Sequence, residues 1–110
     1  MNYKVIPAEP FLKEAKRLKK KYSSFQSDLL ELADQLSICP DLGESLGGNL
    51  YKVRMSIKSK GKGKSGGARI ITYLINEKQE LYLLSIYDKS EIDAIPVSYL
   101  KILAEKILKG

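Results

Sequence analysis

Histidine is absent from all 110 residues. That removes Ser-His-Asp and Cys-His triads, paired-histidine ribonuclease chemistry and histidine-ligated metals together. A single cysteine, Cys39, excludes an internal disulfide and any cysteine-rich zinc site. No apolar run approaches the roughly 18 residues a membrane-spanning helix needs. The first seven residues lack the charged-then-apolar layout of a secretory signal. A cytoplasmic domain over residues 1–110, with no metal, cofactor or membrane partner, is the expectation. The hydrophobic share of 44% is enough for a folded core.

Acid is missing from one stretch in particular. Between Lys52 and Arg69 stand seven basic residues (Lys52, Arg54, Lys58, Lys60, Lys62, Lys64 and Arg69) and no Asp or Glu. Elsewhere acidic and basic side chains nearly balance, so the net charge of +6 comes from this stretch alone. A focused patch attracts polyanions and speeds their arrival. Lys13 to Lys21 differs, because Phe11, Ala15, Leu18 and Tyr22 recur at helical steps and leave the lysines on a solvated face.

The pattern predicts a strand over 2–6 and a helix from Pro10 to about Tyr22. A second helix follows, with Ser23 and Gln26 at capping-box spacing, and then a loop around Cys39–Gly43 and Gly47–Gly48. From Tyr51 to Lys58 apolar and polar residues alternate. Tyr51, Val53, Met55 and Ile57 take one strand face, and Lys52, Arg54, Ser56 and Lys58 take a wet one. A glycine-lysine loop over 58–67 leads to strands over 68–75 and 81–87, and Pro96 opens a C-terminal helix. The order β-α-α-β-β-β-α describes an α+β fold: a small, mainly antiparallel sheet, an N-terminal helical hairpin and a C-terminal helix, with the helices on one face.

Gly61 to Gly66 satisfies GxGxxG, yet Arg69-Ile70-Ile71-Thr72-Tyr73 follows as a strand, so a dinucleotide turn opening a helix is rejected. Lys58 also stands where a P-loop needs its first glycine. RNA cleavage would then rest on Lys, Arg and Tyr. Attack of a ribose 2′-hydroxyl on the adjacent phosphate needs a base, charge stabilisation and an acid. Arginine suits the second task, because its fork donates two hydrogen bonds and stays charged. Lys52 and Arg54 beside Arg69, with Tyr87 and Lys89 at the end of the next strand, make a converging basic cleft. Lys58, Lys60, Lys62 and Lys64 are expected to hold RNA phosphates and Tyr73 to stack on a base, while Tyr51 and Tyr82 are read as core.

Tyr51-Lys52-Val53-Arg54-Met55, then the run from Gly61 to Tyr73, then Leu83 to Glu91, resemble the RelE/HigB toxins of type II toxin–antitoxin systems, the HigB-like branch most of all. The resemblance follows the element order of most of the chain, and its specific motifs lie within 50–92. It implies an endoribonuclease that enters the ribosomal A site and cuts translated mRNA. It also implies neutralisation by a cognate antitoxin, for this branch a HigA-like helix-turn-helix protein. Lys52 and Arg54 match the family's basic strand residues, Arg69 the arginine near the scissile phosphate, and Lys89 lies near its basic residue after the last strand. Where RelE-type members carry a catalytic tyrosine, this chain reads Ile92-Asp93-Ala94-Ile95-Pro96, leaving Tyr87, Tyr99 or Lys and Arg alone. ParE-like toxins share the fold but poison gyrase. A non-catalytic basic binding protein is the other alternative.

Overall fold

Two prolines bracket the first change of direction in the chain. Pro7 ends strand β1 (Lys4–Pro7), and Pro10 sits in the first turn of helix α1 (Glu9–Lys21), where its missing N–H costs no hydrogen bond. The computed structural model describes residues 2–61, 63 and 66–110. Helix α1 buries Phe11, Ala15 and Leu18, and α2 (Phe25–Ile38) buries Phe25, Leu32 and Leu36 against them. Ser24, not Ser23, occupies the N-cap, and no side chain caps the backbone there. Its hydroxyl instead bonds Asp28 Oδ2 at 2.7 Å, so the expected capping box does not form.

Four further strands follow, β2 (Glu44–Gly47), β3 (Leu50–Met55), β4 (Ala68–Ile75) and β5 (Glu80–Asp88), before helix α3 (Val97–Lys109). The sheet order is β1-β5-β4-β3-β2, with β1 parallel to β5 and every other pair antiparallel. Strand β2 is one more than the sequence pattern suggests. It lies in the stretch read as loop, and the turn after it uses positive φ at Gly47, Gly48 and Asn49.

The expectation that all helices share one face is corrected. All eight residues of β4 are buried, which requires cover on both sides. Val53, Met55, Ile70, Leu74 and Leu81 pack on α1 and α2, whereas Leu50, Ile71, Tyr73 and Leu84 pack on Leu100, Leu103 and Ala104 of α3. A bulge supports this division. Ile71 pairs with Ser85 but Thr72 with Leu83, so Leu84 is an extra residue and the strand's facing resets beyond it. That reset turns Tyr87 to the α3 side. Among the described residues no helix is long and apolar enough to cross a membrane.

Candidate functional site

Strand alternation carries Lys52 and Arg54 to the face opposite Val53 and Met55. Register then assembles a row across three strands, since Arg54 lies opposite Arg69, and Arg69 opposite Tyr87. Lys52 stands next to this row, across from Glu44 on β2. Two guanidiniums directly opposite each other repel, so this arrangement costs stability.

Arg54 is exposed and presents the accessible fork of the pair. Arg69 is only 6% exposed and donates from Nη1 to the Ala68 carbonyl at 3.2 Å, adding its charge from beneath. The Tyr87 hydroxyl, also buried, donates to the Asp93 carbonyl at 3.4 Å. Burial pushes the Tyr87 phenol above its usual range, although Arg69 pulls the other way. Lys89 donates to the same carbonyl at 3.3 Å and lies 3.7 Å from the Asp93 carboxylate. Lys52 Nζ is 3.7 Å from Glu44 Oε1. Glu44 also bears electrostatically on Tyr87, so a carboxylate borders the basic row. Glu44 is the residue the sequence reading missed. The signal available was Gly47-Gly48-Asn49 between Leu46 and Leu50, a hairpin turn that would have made its flank a strand.

The remaining basic residues diverge. Lys58 turns to α2, pairing with Glu31 at 3.2 Å. The Lys60 side chain, expected to hold RNA, turns inward, and Tyr73, expected to stack on a base, is buried. Tyr73 is 8% exposed beneath α3. The Lys60 ammonium bonds Asp88 Oδ1 at 2.8 Å and Ser90 Oγ at 3.2 Å, and lies 5.1 Å from the Tyr22 ring centroid. Lys62 and Lys64 lie outside the described residues.

Asp88 explains why Lys60 turns inward. Its wholly buried carboxylate accepts from the Tyr22 hydroxyl, from Lys60, and from Ser90 through N–H at 3.0 Å and Oγ at 2.7 Å. Burial alone would raise its pKa, but these donors hold it well below the usual carboxylate range. Asp28 plays a parallel part, accepting the Lys58 N–H at 3.0 Å. Together the two carboxylates pin the 3₁₀ turn over Lys58–Lys60, the exit of β3, to α2 and β5. Glu91 receives Arg17 and Lys21, the latter at 2.9 Å, which ties α1 to the end of β5 from outside. Among the described residues no group of three or more Asp, Glu or Cys side chains could hold a metal ion.

No known protein family's sequence profile matches the chain. Solved structures do. The isolated E. coli RelE toxin aligns with a TM-score of 0.62 at 19% identity, over 91% of this chain and 95% of RelE. A free E. coli RelE with two arginines replaced by alanine aligns at 0.61 and 19%, over 83% and 87% of the two chains. The intact E. coli RelBE toxin–antitoxin complex aligns at 0.60 and 20%, over 78% and 95%. The three helices and the five-stranded, mostly antiparallel sheet of this chain are thus the fold of the RelE toxin.

Proposed function

We propose that this protein is the toxin of a type II toxin–antitoxin system, a metal-independent endoribonuclease of the cytoplasm that cuts mRNA in the ribosomal A site. The observation that carries the reading is the Arg54–Arg69 pair, an exposed arginine on β3 directly opposite a buried one on β4. The match to RelE and to the RelBE complex supports it. The motif resemblance in 50–92 supports the HigB-like branch as the finer reading, with a HigA-like helix-turn-helix antitoxin as the proposed partner.

In this reading the 2′-oxygen bonds to phosphorus, the bond from phosphorus to the 5′-oxygen breaks, and a 2′,3′-cyclic phosphate and a 5′-hydroxyl result. Arg54 holds the non-bridging oxygens with its planar fork, and Arg69 adds charge from below, where transition-state charge develops. Glu44, at the rim, takes the 2′-proton, and Lys52 or Lys89 returns a proton to the leaving oxygen. Tyr87, its phenol held protonated and bonded to the Asp93 carbonyl, positions the loop that carries Lys89. Lys58 supplies outlying charge to RNA, and Lys62 and Lys64 are assigned the same part.

The test is growth after induction of the wild type and of R54A/R69A, with primer extension on a translated mRNA. Arrest with new 5′ ends inside the reading frame, absent in the double variant and from untranslated RNA, is expected. Arrest without cuts would replace this reading with a ParE-like one, and no arrest with a non-catalytic binder. Glu44→Gln is expected to slow single-turnover cleavage about a hundredfold while RNA affinity changes less than about twofold. An unchanged rate would remove Glu44 from the mechanism.

A further inference from the structure

Asp28 on α2 is 4% exposed, and its two carboxylate oxygens fare differently. Oδ2 accepts from the Ser24 hydroxyl at 2.7 Å and from the Lys58 N–H at 3.0 Å. Oδ1 is buried with no hydrogen-bond partner among the described residues. A carboxylate oxygen taken out of water and left unpaired is costly, so it calls for a donor from outside the chain.

Asp28 lines a cleft of about 540 Å³ between α2 and β3, a size suited to a small ligand. The lining is chemically divided. Glu31, exposed one turn beyond Asp28, adds a second carboxylate on the helix side. Leu32, Leu42, Val53 and Met55 supply apolar surface. Lys52, Arg54 and Lys58 bring cations from the β3 side, and Arg54 is the residue that leads the basic row. Lys52 pairs with Glu44 at 3.7 Å and Lys58 with Glu31 at 3.2 Å, solvent-accessible pairs that a phosphate can displace. An unpaired acceptor, an apolar slot and a cationic rim match the three parts of a nucleotide: base edge, base face and phosphate.

We propose that this cleft binds a guanine nucleotide, free or as one residue of an RNA strand, the strand form resting on the nuclease reading above. An acceptor-only carboxylate selects a base edge made of donors. Guanine offers two adjacent ones, N1–H and the N2 amino group. Adenine and cytosine set a ring-nitrogen acceptor beside their amino group, and uracil flanks its one N–H with two carbonyls. Each of these would bring a lone pair against Asp28. The guanine donors converge on Oδ1 with Glu31 beside them, the ring lies against the apolar lining, and the phosphate meets Lys52, Arg54 and Lys58. Because Oδ1 is buried in the free protein, the base must part the cleft walls to reach it, and a base that cannot bond it does not recover that cost. In a strand, guanosine held here puts its phosphate at Arg54, so cuts fall beside guanosine.

The test titrates 5′-GMP, AMP, CMP and UMP into the isotope-labelled full chain and follows the amide signals of α2 and β3. GMP is expected to bind at least about tenfold more tightly than the others, with shifts centred on Asp28 and Val53. IMP, which lacks the 2-amino group, binds about fivefold more weakly than GMP, and a methyl on N1 abolishes binding, probing Oδ1 without altering the protein. Asp28→Asn keeps an oxygen for Lys58 and Ser24 and sets an NH2 donor in place of Oδ1, so the guanine preference shrinks to within about twofold. No saturable shift with GMP, equal binding of all four, or tolerance of the N1 methyl overturns the proposal. Mapped cuts separate the sources. Cuts beside guanosine in the wild type that spread over all bases in D28N assign the occupant to the RNA strand, and GMP binding with cuts indifferent to guanosine assigns it to a free nucleotide. Failure of the protein to cut any RNA would remove the nuclease reading and leave the titration to decide the cleft.

Discussion

Arg54→Ala is expected to slow cleavage of ribosome-bound mRNA by about two to three orders of magnitude, the usual effect of deleting one donor aimed at developing negative charge. Arg54→Lys should recover only part of the rate, since an ammonium cannot reproduce the two-pronged geometry. Affinity for RNA should fall modestly, with the salt dependence of binding flattened by about one phosphate contact. The same substitution separates rate from folding. Arg54 faces Arg69, so removing one of the two like charges should raise stability by about 0.5 kcal/mol. Single-turnover cleavage and thermal melting of one preparation would show activity and stability moving in opposite directions. A rate within about threefold of wild type would end the assignment of Arg54.

Asp88→Asn is expected to be the most destabilising conservative substitution in the chain. It leaves the Lys60 ammonium, whose side chain is 7% exposed, buried without its counter-charge, and it weakens the bond from Tyr22. Breaking one partner of such a pair costs about 3 kcal/mol or more. For a chain of this size that lowers the melting temperature by about 12 °C. Lys60→Met in the same background should restore more than half of the loss, because no uncompensated charge remains. The pH dependence has a definite sign. The folded Asp88 carboxyl titrates below its unfolded value of about 3.9. Its contribution is therefore complete above about pH 4 and disappears as the pH falls toward the folded value. The wild type should lose stability over that acid range more steeply than D88N. Parallel curves would mean that Asp88 is not the anionic hub described above.

The basic row could be read in advance because its determinants are local. Tyr51 to Ile57 alternates without interruption, and an antiparallel return through 68–75 brings Arg69 opposite Arg54 across one hairpin. Three features escaped for different physical reasons. Glu44 lies on a four-residue strand with Gly43 before it and Gly47 at its end, too short and too glycine-rich for periodicity to register. Lys60 looked like one more solvent-facing cation, because its partner Asp88 arrives from the end of another strand. Tyr73 belongs to a strand buried on both faces, and the sequence does not say that α3, rather than RNA, covers its side. The uninterrupted apolar run of β4 nevertheless carried the clue that one layer of helices would not suffice.

The parallel ladder between β1 and β5 has a consequence for biosynthesis. Lys4 and Val5 pair with Glu80 and Leu81, residues of the last strand in chain order, which are made well after them. Tyr87, at the far end of β5, is also what flanks Arg69. Contacts this distant in sequence form late, after a large loop has closed. A nascent copy that has exposed only β3 and β4 has its arginines without β5 beside them. The order of synthesis thus postpones the complete three-strand row until β5 has emerged from the ribosome, however early β3 and β4 have paired.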